Sequence, residues 1–151
     1  MANPMAAEYR HLAVQADETE VRTASAWLEQ VCAEHAVPAD QLYRLDLCLN
    51  EALANIITHG GPAARESAVR LALSIGADDE GNRAELRISD AGQAFNPLLA
   101  LARDPATSLS DALPGGLGLT MMSGYSDRLD YEFREGRNQQ AFLFRWRSPE
   151  Q

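Results

Sequence analysis

The sequence predicts an α+β protein, a two-layer sandwich in which one mostly antiparallel sheet carries its helices on one face. Three observations lead there. Leu42, Leu45, Leu49, Leu53 and Ile56 recur at three- and four-residue steps, the spacing of one helix face. Residues 68–75 and 83–89 instead alternate apolar with polar, as a half-buried strand does. Turn chemistry in residues 78–82 and again at Glu135, Gly136, Arg137 and Asn138 folds such stretches into hairpins.

Taken in order, residues 9–14 predict a first strand. Asp17 and Thr19 both offer a side-chain oxygen to free N–H groups at the start of a helix over residues 21–35. Pro38 restarts the chain, and residues 39–59 form the clearest helical pattern, ended by Gly60, Gly61 and Pro62. The hairpin of residues 68–75 and 83–89 follows. Residues 91–114, with Pro97, Pro105 and Pro114 and little periodicity, predict a long functional loop of the lid type. A short helix is expected over residues 116–124, and residues 128–133 and 140–146 make the closing hairpin. No repeat or linker divides the chain, so its 151 residues read as a single domain with a core over residues 9–147.

Composition narrows the function. No apolar run approaches the roughly 18 residues expected of a spanning helix, and residues 1–10 lack the basic patch and apolar stretch of a signal peptide. A cytoplasmic location is the expectation. Cys32 and Cys48 lie in apolar helical stretches without partners at metal-ligand spacing, which predicts buried thiols and no zinc site. A net charge of −9, from 13 basic and 22 acidic residues, argues against nucleic acid or an anionic membrane as the main partner. A nucleotide remains compatible, because backbone N–H groups, a metal and a helix N-terminus can hold phosphates without a basic patch.

Three segments carry candidate chemistry. Glu51 and Asn55 stand one turn apart on the long helix, with Arg44 and Thr58 on the same strip, opposite the leucine stripe. They could be a solvated polar face. They could equally supply a carboxylate that deprotonates a hydroxyl and an amide oxygen that ligates Mg²⁺. Asp90 and Gly92 directly follow a strand, which suits either a plain turn or a carboxylate accepting from an exocyclic amine beside a residue without a Cβ. Gly115, Gly116 and Gly118 lead into Leu119, Met121 and Met122, as a flexible connection or as a phosphate-holding loop at a helix start.

The order of the three, N-E-x-x-x-N on a helix, D-x-G after a strand and G-G-x-G-L opening a helix, resembles the GHKL ATPases with their Bergerat ATP-binding fold. Within them the sequence is most similar to the small serine-kinase branch, the anti-sigma-factor switch kinases. His59 and Gly60, the run Phe95, Asn96 and Pro97, and the stretches at Asp127 to Tyr131 and Gly136 to Asn138 look like that branch. The likeness runs over residues 9–146.

The resemblance implies ATP and Mg²⁺ as cofactors. Glu51 would be the general base for a partner's serine hydroxyl and Asn55 the Mg²⁺ ligand. Asp90 would recognise the adenine amine and Gly92 would shape that pocket. Gly115, Gly116 and Gly118, with Leu119, would border a lid of residues 100–113 and meet the phosphates, and Arg103 in the lid is a further phosphate candidate. His59 would pack or cap rather than catalyse. Asn96 departs from the family, where many relatives carry aspartate. With no transducer domain following and no phosphoacceptor histidine upstream, neither a topoisomerase-like cycle nor a complete sensor histidine kinase is expected. The implied function is a bacterial ATP-dependent protein-serine kinase that phosphorylates an anti-anti-sigma (STAS) partner and sequesters a sigma factor or similar regulator. The alternative is a nucleotide-gated protein-binding module without phosphotransfer. A homodimer is implied by the family. Trp27, Leu28 and Val31 could serve that contact, although their stripe reads first as core packing.

Overall fold

The structure is a computed structural model that describes residues 8–97 and 125–148. Its elements are β1 (Arg10–Val14), α1 (Glu18–Glu34), α2 (Ala39–His59), α3 (Gly61–Glu66), β2 (Val69–Asp78), β3 (Gly81–Asp90), β4 (Arg128–Arg134) and β5 (Arg137–Trp146). The strands form one fully antiparallel sheet in the order β1-β2-β3-β5-β4. The α+β class is therefore as expected, and so is the order of the described strands and helices apart from the added α3. The segment called a lid, the short helix after it, and with them Gly115, Gly116, Gly118, Leu119 and Arg103, lie outside the described residues.

Local chemistry explains each boundary. Asp17 caps α1: its Oδ1 accepts from Thr19 N–H at 2.7 Å and from the Thr19 hydroxyl at 2.8 Å, so of the two candidates aspartate is the cap and threonine its donor. The helix consequently starts at Glu18, three residues earlier than periodicity alone suggests. Gly60 keeps helical dihedrals, and the chain turns only at Gly61, with φ +73°. Pro62 then opens α3, a short helix to which the sequence reading assigns no element.

Both hairpins are tighter than expected. Asp78 pairs with Gly81 and Arg134 with Arg137, leaving two residues at each turn. Glu135 and Gly136 have φ of 56° and 76°, the pair of positive values that matches the twist of the strands they join. The strands thus run further into polar sequence than alternation indicates, because the ladder continues wherever backbone groups can pair.

One sheet face builds the core. Across it, Leu73 pairs with Leu86, Leu86 with Phe142, and Phe142 with Leu129. Against these pack Leu28, Val31, Leu45, Leu49, Ala52 and Leu53 from α1 and α2, which lie side by side on that face. The leucine stripe is buried at Leu45, Leu49, Leu53 and Ile56 and partly so at Leu42. Leu28 and Val31 are core residues, with Trp27 packed at its edge. Cys32 and Cys48 are buried thiols outside any disulfide, and burial pushes them up to about 11 and about 12, so both stay protonated at neutral pH. No helix among the described residues is long and apolar enough to cross a membrane.

Candidate active site

The same sheet face changes character toward one end. Along β3 its inward residues are Ala84, Leu86, Ile88 and then Asp90; along β5 they are Phe144, Phe142, Gln140 and then Asn138. Register sets Ile88 opposite Gln140 and Asp90 opposite Asn138. The C-terminal turns of α2 cover this end. A pocket forms there, lined by Asn55, His59 and Gly60 of α2 and its cap, by Asp90, Gln93 and Phe95 of the segment after β3, and by Asn138 and Gln140 of β5.

Asp90 is 3% exposed, and its Oδ1 accepts from Gly92 N–H at 2.9 Å and from Asn138 Nδ2 at 3.1 Å. Burial raises its carboxyl above the ordinary aspartate range, while these two donors and the charge of Arg137 pull the other way. Asn138 is the fastener of the segment. Its Nδ2 also donates to Gly92 O at 3.3 Å and Gln93 O at 2.9 Å, and its Oδ1 accepts from Phe95 N–H at 3.0 Å and the Tyr131 hydroxyl at 2.5 Å. Next to it, Arg137 clamps the strand from the outer face, donating to Ser89 Oγ, Ser89 O and Ala68 O.

The segment docks on α2 through backbone. Gln93 N–H donates to Gly60 O at 3.0 Å, and Gln93 Nε2 to His59 O at 2.7 Å. A Cβ on Gly92 would sit 2.8 Å from Gly60 Cα and 2.8 Å from Gly60 O. Gly92 is thus required for the contact between the two halves of the site, and among the described residues the pocket lining includes its neighbours rather than Gly92 itself. His59 stacks on Phe95 with ring centroids 4.9 Å apart and planes 12° from parallel, a packed histidine as expected.

On α2, the polar strip is solvated only in part. Asn55 is 5% exposed and its Oδ1 has no hydrogen-bond partner among the described residues, whereas Thr58 on the same strip is exposed. Glu51, one turn before Asn55, is half-buried and stands outside the pocket lining. Arg44 ties the start of this strip to the chain that re-enters before β4: its Nε donates to Tyr125 O at 2.8 Å and its guanidinium reaches Asp127 at 3.3 Å. Asp127 Oδ2 also accepts from Arg145 N–H at 2.6 Å. Among the described residues the structure therefore brings Asn55 and Asp90 together, keeps Glu51 nearby on the same helix, and uses Gly92 as packing.

Asn138 and Gln140 carry site geometry that the motifs did not assign. Gln140 is 6% exposed and its Oε1, like Asn55 Oδ1, has no hydrogen-bond partner among the described residues. Two buried acceptors left open in one pocket are costly unless something donates to them or is ligated by them. The arrangement suits a ligand bearing N–H donors near Asp90 and a cation near Asn55.

A family model for the histidine kinase-like ATPase domain matches residues 14–142. The chain is similar to the serine/threonine-protein kinase BtrW of Bordetella bronchiseptica, at 36% identity over 112 residues that cover 74% of this chain and 76% of that protein. Among solved structures it resembles the RsbU and RsbW domains of Rv1364c from Mycobacterium tuberculosis, with a TM-score of 0.65 and 16% identity over 95% of this chain. This chain spans only 34% of that one. The SiaB-SiaC complex from Pseudomonas aeruginosa contains a similar fold, with a TM-score of 0.55 and 13% identity over 89% of this chain and 88% of the other.

Proposed function

The chain belongs to the histidine kinase-like ATPase family, in its serine/threonine-protein kinase branch, and we propose that it is a switch kinase that transfers the γ-phosphoryl group of ATP to a serine of a STAS-domain partner. The observation that carries this reading is the convergence of Asn55 and Asp90, distant in sequence, on one pocket whose lining holds two buried amide oxygens, Asn55 Oδ1 and Gln140 Oε1, with no hydrogen-bond partner among the described residues. Asp90, held through Oδ1 by Gly92 and Asn138, accepts from the adenine amine with its remaining oxygen. Asn55 Oδ1 suits Mg²⁺, a hard cation that takes few protein oxygens. Such an ion, when bound, neutralises charge on the phosphate oxygens. Glu51, half-buried one turn before Asn55 on α2, takes the proton of the incoming serine hydroxyl. Gly115, Gly116 and Gly118, with Leu119, supply N–H groups to the phosphates.

The second half of the proposal is partner switching in the cytoplasm. The domain, as a homodimer, sequesters a sigma factor or similar regulator until the STAS partner engages it, with nucleotide state linked to partner choice. The likeness to a named serine/threonine-protein kinase supports the transferase, and the occurrence of a similar fold in the SiaB-SiaC complex is in keeping with protein partners.

The test is incubation of the protein and Mg²⁺ with γ-radiolabelled ATP and STAS proteins of the same genome, wild type beside Glu51→Ala. Label on one STAS serine, lost by at least about 100-fold in the variant while ATP still binds, is the expected result. ATP binding without transfer to any candidate would leave a nucleotide-gated binding module, and no ATP binding would remove the reading altogether.

A further inference from the structure

We propose that Gln140 is a second base-reading residue, which accepts from the same exocyclic amine as Asp90 and so selects adenine over guanine. The inference rests on the nucleotide reading above and deepens it by assigning the base contact to a side chain on β5. Gln140 sits on the inward face of β5, opposite Ile88 and diagonal to Asp90, whose direct partner is Asn138. Diagonal neighbours in an antiparallel pair stand about 7–8 Å apart, near enough for a long side chain and a short one to meet one small group between them.

The chemistry of the pair is complementary to one substituent. Asp90 Oδ1 is taken by Gly92 and Asn138, and Gln140 Oε1 is buried in the same pocket with no donor among the described residues. A 6-amino group carries two N–H donors that diverge, one for each acceptor. Guanine presents a carbonyl oxygen at that place, which would face the Asp90 carboxylate and Gln140 Oε1 with no proton between them. Tyr131, opposite Gln140 on β4, spends its hydroxyl on Asn138 and so does not serve Gln140 instead. An acceptor kept open in the free protein disfavours that state and is relieved when the base enters.

The experiment measures binding of ATP, of GTP and of purine riboside triphosphate, which lacks the amine, to wild type and Gln140→Leu, with thermal melting of both free proteins. Gln140→Met, closer in length, repeats it should leucine disturb packing. The expected result is a loss of about 10-fold in ATP affinity, with purine riboside triphosphate changed by less than about 2-fold. The free variant should melt roughly 2–4 °C higher, because the open acceptor is gone. Equal losses for both nucleotides would overturn the assignment, since Gln140 would then be shaping the pocket or donating to the ring through its Nε2. So would unchanged ATP affinity. Failure of the wild type to bind any of the three would overturn the nucleotide reading itself, and the inference with it.

Discussion

Two regions of one sheet face make an informative pair. In the first, the row Leu73, Leu86, Phe142 and Leu129 crosses β2, β3, β5 and β4 with apolar side chains throughout. In the second, four residues further along the same strands, Asp90 faces Asn138 under the end of α2. Strand, register and helix cover are shared, so the backbone does not distinguish core from pocket. The side chains do. The apolar row gains from burial and needs nothing else; the polar end buries a carboxylate and two amide oxygens without a hydrogen-bond partner among the described residues, which costs folding free energy. The scaffold is stabilised at one end and made receptive at the other.

Breaking the apolar row should have the largest effect on folding. Phe142 is fully buried, between Leu86 and Leu129 in register, so Phe142→Ala removes a large side chain from a site that cannot collapse fully. A loss of about 3–5 kcal/mol in urea unfolding is expected. Any protein that remains folded should bind ATP with nearly wild-type affinity, since Phe142 lies outside the pocket lining.

Asn138→Ala inverts that pattern at the polar end. The five contacts of Asn138 fix Asp90, Gly92, Gln93 and Phe95 in one geometry, and alanine leaves their polar atoms to water or to nothing. The expected loss of stability is about 1–3 kcal/mol, smaller than for Phe142. ATP affinity should nonetheless fall further than for any core variant, because Asp90 loses its orientation. If calorimetry found ATP binding intact, Asn138 would be a purely structural residue and the contrast between the two regions would weaken.

How much of this was legible beforehand follows the same division. The leucine stripe gave α2 because a helix repeats its face every three to four residues, and tertiary packing agrees with it. Strand ends and α3 were hidden, since Asp78, Gly81 and Arg137 are turn-like residues that still pair, and six residues are too few for a helical period to register. Asn55 and Asp90, singled out by the order of motifs, line one pocket. Asn138 and Gln140 were passed over as turn and strand-start residues, yet a signal was present. With β5 in register, Asn138, Gln140, Phe142 and Phe144 share one face, so two amides occupy positions where alternation demands apolar residues. A polar residue at a core position is a local inconsistency, and such inconsistencies concentrate at functional sites.

The smallest expected effect sharpens the comparison through pH. Burial raises the Asp90 carboxyl in the folded protein above its unfolded value of about 3.9. The folded state therefore binds the proton more tightly between the unfolded value and the raised folded one. Across that window stability contributed by the protonated group falls as pH rises, and above the folded pKa the loss is complete. The apolar row has no such term. Asp90→Asn should accordingly remove one downward component from the stability-pH curve of the free protein, while Phe142→Leu should shift the curve without changing its shape. Curves of identical shape for wild type and Asp90→Asn would mean that the donors Gly92 and Asn138 fully offset burial, leaving Asp90 as easily ionised in the pocket as in water.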